Sequence, residues 1–473
     1  MPGVSAPESR GPVVAIIGGG ASGTLAAVHL LRSAAARQYS LRITLIDRYG
    51  RHGLGQAYAT THPDHLLNAP AGQMSALAGD PDHLIRWAGP EVTDGTGFLP
   101  RQLYGRYLRD TLSAAERHAQ PLSWVTRVTS DVVAVRRNSD GRPLRLVLAD
   151  GRRIDADIAV LATGSPAPAL PFPVPRSPRI IADPWAPGAL DAAADGSPVM
   201  IVGTGLTMID VAVAVTSGSR PATVHAVSRH GLLPRTHRGP PPAGGSPLWL
   251  PALADPAGPV SLGELMWQVR CATAGRPGNW QQVMDALRPF VPGLWQRMPD
   301  RDKRLFLRHV ARYWEVHRHR VPPATASRIT ALRGTGQLSV RPGQVTAVDE
   351  QAGQLRVRVS QGSGTVEHTV GWLINGTGAA TDITAAADPL LGDLFARGLA
   401  RPDPLGLGID ASTDGSVLDA SGTPSSTLCT LGPPLRGLWY ETTAIPEIRE
   451  QAAALAGRLI AGRQACEHPG SAA

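Results

Sequence analysis

Val13-Val14-Ala15-Ile16-Ile17-Gly18-Gly19-Gly20-Ala21-Ser22-Gly23 is the stretch on which the reading of this chain turns. Five consecutive apolar residues, four of them β-branched valines or isoleucines, predict a strand buried on both faces. The glycine-rich turn that follows opens an apolar helix reaching about residue 37. A second apolar strand, residues 41–46, then ends in Asp47, 24 residues beyond Gly23. Glycine is common here, at 52 of 473 residues, so the spacing alone would carry little weight; the strand, helix and acid around it supply the weight. In that context Gly18 makes the tight turn, Gly20 lets the backbone approach a pyrophosphate, and Gly23 allows close helix–strand packing. Ala21 and Ser22 present free N–H groups at the positive end of the helix. Asp47 can accept hydrogen bonds from ribose hydroxyls.

A second strand–turn–helix unit lies about 180 residues on. Val199-Met200-Ile201-Val202 reads as its strand, Gly203-Thr204-Gly205-Leu206-Thr207 as its turn, and residues 208–215 as its helix. Met208 stands where a third glycine would fall. The return strand, 223–227, ends in Ser228-Arg229-His230 and has no carboxylate. An acid at that point would repel a 2′-phosphate, whereas Ser228 and Arg229 could bind one, so NADPH is expected over NADH. Two dinucleotide units in one chain imply electron transfer between two nucleotides, with FAD on the first and NADPH on the second.

The rest of the chain divides around these units. A stretch rich in His, Asn and small residues covers 53–82, and hairpin-like strands are expected around 124–160. Ile158-Ala159-Val160-Leu161-Ala162 leads into Thr163-Gly164, and the Pro-rich stretch 165–187 reads as a linker. Residues 239–259, dense in Pro and Gly, suggest a loop or lid. A mainly helical basic segment covers 261–320, followed by weak strands between 328 and 375 that end at Asn375-Gly376-Thr377-Gly378. A last strand near 428–431 precedes a helix over about 446–463. The expected architecture is therefore α/β, with two Rossmann-like dinucleotide-binding domains and a helical insertion. Its expected boundaries are 1–170 for the first part of the FAD domain, 190–365 for the NADPH domain including helical segment 261–320, and 366–473 for the second part of the FAD domain.

Composition removes several function classes. With 42% hydrophobic and 18% charged residues, the chain is an ordinary globular one. Its 46 Lys+Arg outnumber 38 Asp+Glu by +8, but no block of like charge resembles a nucleic-acid arm. Lys303 is the only lysine, so Schiff-base chemistry has one candidate at most. Cys271, Cys429 and Cys466 stand far apart, which excludes a CxxC dithiol and a Cys-rich zinc site. No apolar stretch reaches the roughly 20 residues that span a bilayer, and no secretory leader is evident. A cytoplasmic protein without membrane or nucleic-acid partners is expected, and its oligomeric state is not readable. His52, His62 and His65 precede Asn68, but Pro63 disrupts the helix that a His62/His65 metal pair would need, so loop contacts are expected and no metal.

Longer motifs complete the picture. They are Gly18–Gly23, Leu67-Asn68-Ala69-Pro70-Ala71-Gly72-Gln73-Met74-Ser75, Phe98-Leu99-Pro100-Arg101-Gln102-Leu103-Tyr104-Gly105-Arg106-Tyr107-Leu108, and Val202-Gly203-Thr204-Gly205-Leu206-Thr207-Met208-Ile209-Asp210, then Asn375-Gly376-Thr377-Gly378 and Leu431-Gly432-Pro433-Pro434-Leu435-Arg436-Gly437-Leu438-Trp439. With these the sequence resembles the bacterial FAD/NAD(P)-binding flavoproteins allied to class B N-hydroxylating monooxygenases. The resemblance implies that Asn68, Gln73 and Ser75 lie by the isoalloxazine and nicotinamide, and Met74 belongs with the cofactor-binding candidates. It departs at Gly432-Pro433, where many relatives have Gly-Asp, and in the order Gln73-Met74.

Asn68, Gln73 and Asn375 are the candidate catalytic residues, as neutral hydrogen-bonding groups for a flavin C4a-hydroperoxide. Thr163, Gly164 and Gly378 join the cofactor set. For the substrate, Arg301, Arg304, Arg308 and Arg312 fall at spacings of 3, 4 and 4 on one helix face, with Phe306, Val310, Tyr313 and His317 on another. Arg312, His317 and Arg320 are the substrate-binding candidates, a solvated basic face being the plainer reading. The expected function is NADPH-driven, oxygen-using N-hydroxylation of a small amine, an acidic amino acid first among candidates. The alternatives are a flavoprotein reductase or dehydrogenase with another acceptor, and a non-catalytic nucleotide-binding protein.

Overall fold

Strand Val13–Ile17 lies inside a six-stranded sheet, paired in parallel with Leu41–Asp47 on one side and Ile158–Leu161 on the other. The computed structural model describes residues 11–467, apart from 90–94, 140, 240–249, 256, 275–279, 363, 381 and 386. Ser123–Thr129 extends the sheet beyond Leu41–Asp47; Pro424–Thr430 and the antiparallel Ser416–Leu418 extend it beyond Ile158–Leu161. All five residues of Val13–Ile17 are buried because both faces are covered. Val14 and Ile16 face a core built from helices Ala21–Ala36, Arg101–Ala119 and Ile445–Glu467. Val13, Ala15 and Ile17 point the other way, onto a three-stranded meander (Val132–Arg137, Leu144–Leu148, Arg153–Ala156) and helix Pro389–Ala396.

The second body is a five-stranded parallel sheet in the order Leu338–Pro342, Val224–Ser228, Val199–Val202, Trp372–Asn375, Ile180–Ile181. Helix Leu206–Thr216 packs on one face, and an antiparallel meander of Gln344–Gln351, Gln354–Gln361 and Gly364–Val370 covers the other. This corrects the boundary expected at 366. Strand Trp372–Asn375 registers against Val199–Val202, so the chain returns to the first body only past Thr377. The two crossovers adjoin, with the Ala380 N–H donating to the Pro166 carbonyl at 3.4 Å. Residues 323–334, read in part as weak strand, form a helix instead.

The helical segment contains helices Leu262–Ala274, Trp280–Leu287, Val291–Arg297, Asp300–Leu305 and Ala311–Arg318. Its own core closes over Leu407 and Tyr440 of the C-terminal region, where Trp295 stacks on Tyr440 at 4.7 Å. The segment therefore braces the two bodies together and is not an appendage of the second alone. Most of the proposed lid at 239–259, namely 240–249 and 256, lies outside the described residues. No described helix is long and apolar enough to cross a membrane.

Candidate active site

Both glycine turns open on one cavity of about 2590 Å³. That exceeds the roughly 300–1,000 Å³ of a site for one drug-sized ligand, so more than one such molecule fits. The turns have the same construction. Gly18 has φ +111° and Gly203 φ +113°, a region that favours glycine. A Cβ on Gly18 would strike the Ala162 carbonyl, and one on Gly203 the Gly376 carbonyl. In each unit the first glycine thus rests on the turn that leaves a neighbouring strand. Ala162-Thr163-Gly164 follows Ile158–Leu161 in the first body, and Gly376-Thr377-Gly378 follows Trp372–Asn375 in the second. Gly23 packs against Gly18 as its spacing implied. Met208 is fully buried beneath the second sheet, and Gly376 provides the close approach on that side.

Gly18, Gly20, Ala21, Ser22, Asp47, Asn68, Gln73, Met74, Thr163 and Gly164 line the cavity from the first body. One oxygen of Asp47, Oδ1, accepts the Tyr49 and Arg51 N–H groups at 3.0 and 2.7 Å, which fixes the carboxylate at the strand end. Gly203, Leu206, Thr207, Ser228 and Arg229 line it from the second. A smaller cavity of about 240 Å³ adjoins there, reaching Gly205, Arg229, Arg312 and Gly378. Ser228 is held by Thr204 at 2.8 Å and by the Gly231 N–H at 3.1 Å. Arg229 is exposed and forms no ion pair among the described residues.

Four expectations need correction. Ser75 is fully buried and donates to the Asp80 carbonyl at 2.6 Å, so it holds a turn and faces no cofactor space. Asn375 is 0% exposed, and its Oδ1 accepts the Thr377 N–H and hydroxyl at 3.1 and 2.7 Å. It caps the second body's turn and reaches neither cavity wall, and with it Gly378 moves to the second unit. His317 lies off both cavities, against Trp280, and pairs with the Tyr313 carbonyl. Arg312 sits at the rim near Arg229, paired with Glu315 at 2.6 Å, whereas Arg320 is buried deeper in the cavity wall.

The helix-face error has one cause, a π turn over Phe306–Val310. It inserts a residue into the helical count, so the face that begins at Phe306 continues through Ala311 and Trp314 and leaves Tyr313 48% exposed. The same shift turns Arg318 inward in place of His317. Arg301, Arg304, Arg308 and Arg312 are all exposed, in keeping with the solvated-face reading.

The sequence reading also missed a group of side chains around the cavity. Arg288 binds Glu447 in bidentate fashion, Nε to Oε1 at 2.8 Å and Nη2 to Oε2 at 2.9 Å, and reaches Gln73 Oε1 at 3.3 Å. Arg320 Nη1 donates to Gln281 at 2.7 Å, and Nη2 pairs with Asp285. His237 Nε2 contacts the Asn68 carbonyl at 3.0 Å. Burial pushes the His237 imidazolium below its ordinary value, against that bond, and so favours the neutral ring. No local periodicity marks these residues, because they converge from five separate segments.

Between the bodies Arg101 pairs with Asp210 at 2.8 Å, and His65 Nε2 contacts the Asp210 carbonyl at 2.9 Å. Burial lowers the His65 pKa to about 4. His62 stacks on His65 at 4.8 Å, so these histidines make loop contacts.

Residues 15–166 match the profile of an FAD-NAD(P)-binding family. No curated protein sequence matches the chain. Among solved structures, an ornithine N-hydroxylase from Kutzneria sp. 744 is 15% identical with a TM-score of 0.61, over 96% of this chain and 99% of that one. L-lysine 6-monooxygenase from Pseudomonas syringae is 14% identical with a TM-score of 0.61, over 96% and 99%. A bacillithiol disulfide reductase from Bacillus cereus is 12% identical with a TM-score of 0.54, again over 96% and 99%. The chain thus carries an FAD-NAD(P)-binding module over residues 15–166 and, over nearly its whole length, the fold of these three enzymes.

Proposed function

We propose that the protein is an FAD- and NADPH-dependent monooxygenase that hydroxylates the nitrogen of a small amine, an acidic amino acid first among candidates. The observation that carries this reading is the single cavity shared by two dinucleotide turns. The first turn fits FAD: Gly20 leaves the backbone open toward the cavity, the helix N-terminus offers N–H groups, and Asp47 stands at the ribose position. When bound, reduced flavin supplies the oxygen-activating chemistry. The chain's own residues then bind, orient and shield. Asn68 and Gln73 offer amide groups to the cavity, Met74 an apolar surface, and Arg229 a charge for the 2′-phosphate. The N-hydroxylating enzymes of the same fold support the reaction class.

The reductase reading keeps one observation of its own, the fold shared with a disulfide reductase. Buried Cys429 and exposed Cys271 stand apart, so the described residues offer no dithiol to relay electrons. The deciding experiment reduces the flavin-loaded protein with NADPH without air and then admits oxygen and an amine panel. Hydroxylamine formed in step with NADPH oxidised is expected. Prompt return of oxidised flavin with one peroxide per NADPH, whichever amine is present, would favour the reductase. Separately, Arg229→Ala should raise KM for NADPH by on the order of 10–100-fold, as loss of a charged hydrogen bond worth about 1.5–3 kcal/mol requires, and leave KM for NADH near its original value. Equal effects on the two nucleotides would refute the 2′-phosphate assignment.

A further inference from the structure

We infer that Arg318 is a carboxylate receptor for the substrate, brought to the cavity by the π turn at Phe306–Val310. Three of the arginines that line the cavity, Arg288, Arg318 and Arg320, have very different hydrogen bonding. Arg288 is committed to Glu447, and Arg320 to Gln281 and Asp285. The Arg318 side chain is only 10% exposed, and its guanidinium makes no hydrogen bond to any described residue; Nε and Nη2 are sealed from solvent and cavity alike, which leaves Nη1 as the donor that can reach a ligand. In the one ion pair it makes among the described residues, Glu441 Oε2 lies 3.3 Å away and out of line for a hydrogen bond, while Glu441 Oε1 accepts the Trp314 indole N–H at 2.9 Å. Buried guanidinium donors are ordinarily satisfied, so Nη1, neither sealed nor bonded, has hydrogen-bonding capacity left for a ligand.

Position and charge identify the ligand. Val321 N–H donates to the Arg235 carbonyl and His237 N–H to the Val321 carbonyl, at 2.9 and 3.0 Å, and His237 in turn touches Asn68. The segment that carries Arg318 and Arg320 is thereby tied to the part of the first body expected beside the flavin. Glu441, Asp285 and Glu447 offset the three arginines in formal charge. Such a wall offers directed donors with no large positive excess, which suits the single charge of a carboxylate better than a phosphate dianion. NADPH phosphates have Arg229 and Arg312 at the other turn. A π turn is uncommon and concentrates at functional sites, and here its effect is the inward turn of Arg318.

Only the amine in the ligand's identity rests on the proposed oxygenation; the carboxylate site stands on geometry. The test uses the flavin-loaded protein and follows its absorbance and tryptophan fluorescence at equilibrium with L-aspartate, β-alanine and n-propylamine, which carry two, one and no carboxylates. Saturable binding of at least one carboxylate-bearing amine, on the order of 10–100-fold tighter than n-propylamine, is expected. Arg318→Gln should abolish that preference and Arg318→Lys restore part of it. The ligand comparison needs only the unmodified protein, so it holds even if Arg318→Gln fails to fold. Equal affinity for all three amines, no saturable binding by any, or an Arg318→Gln defect larger for NADP⁺ than for the carboxylates would overturn the inference. Peroxide release with every amine while the carboxylate preference persists would sink the oxygenation reading and leave this site standing.

Discussion

Gly18→Ala should yield a protein that folds poorly and purifies without flavin, whereas Gly20→Ala should fold normally and bind flavin weakly. The two glycines are two residues apart, but their surroundings differ. Gly18 has φ +111°, and a methyl there would strike the Ala162 carbonyl, which is backbone fixed in the adjacent strand end. Overpacking and a conformation foreign to alanine together cost more than about 3 kcal/mol, a large fraction of a domain's stability. Gly20 has φ −72°, and the nearest atom to an added Cβ is Gly55 Cα at 3.4 Å, so the protein itself tolerates the methyl. The methyl would instead enter the space where a pyrophosphate meets the helix N–H groups. Weakening those charged hydrogen bonds should lower flavin affinity by on the order of 10–100-fold. Thermal unfolding and flavin content of the two variants check this. Normal flavin content in Gly20→Ala would remove the phosphate from that turn.

Arg101→Ala should destabilise the protein by about 3–5 kcal/mol, with a deficit that grows from pH 5 to pH 8. Arg101 and Asp210 join the two bodies with side chains only 13% and 9% exposed. Removing the arginine leaves a buried carboxylate without its counter-charge. Burial already raises the Asp210 pKa, and Arg101 is the main influence opposing it. The sign follows from linkage. A carboxyl whose folded pKa lies above its unfolded value of about 3.9 contributes fully below that value and loses its contribution as pH rises through the folded pKa. Without Arg101 the folded pKa climbs further, so the variant falls behind the parent as pH increases. Urea titrations at both pH values measure the deficit. Replacing both partners with apolar residues of similar volume should recover most of the loss. A pH-independent deficit would show that Arg101 acts through its packing on Trp185, 5.8 Å away, and not through charge.

The first βαβ unit was legible nearly residue by residue, because strand burial, turn geometry and helix start are local and each leaves its own mark on the sequence. The second unit was legible despite Met208, since the strand, turn and helix around it are intact. Asn375 shows the limit of such reading. The boundary at 366 puts Asn375-Gly376-Thr377-Gly378 with the C-terminal part, whereas its likeness to Leu161-Ala162-Thr163-Gly164 marks the same strand-end turn in the other body. Ser75 failed for another reason. A hydroxyl in a polar loop can face a ligand or close a turn, and only its neighbours decide between the two.

Sequence alone determined the two dinucleotide folds and their order, because glycine at positive φ and fully apolar strands are requirements of the backbone and the core. Tertiary structure decided which arginines face the cavity. A single residue inserted as a π turn rotates everything after it by roughly 100°, about one residue's share of a 3.6-residue turn, and helical spacing cannot register that change. It also decided that Arg288 and Gln281 line the cavity, and that Glu447 and Glu441 stand behind it against Arg288 and Arg318. Ion pairs between distant segments form at separations in the chain that carry no period, so only the packing of the two bodies and their helical brace makes them neighbours.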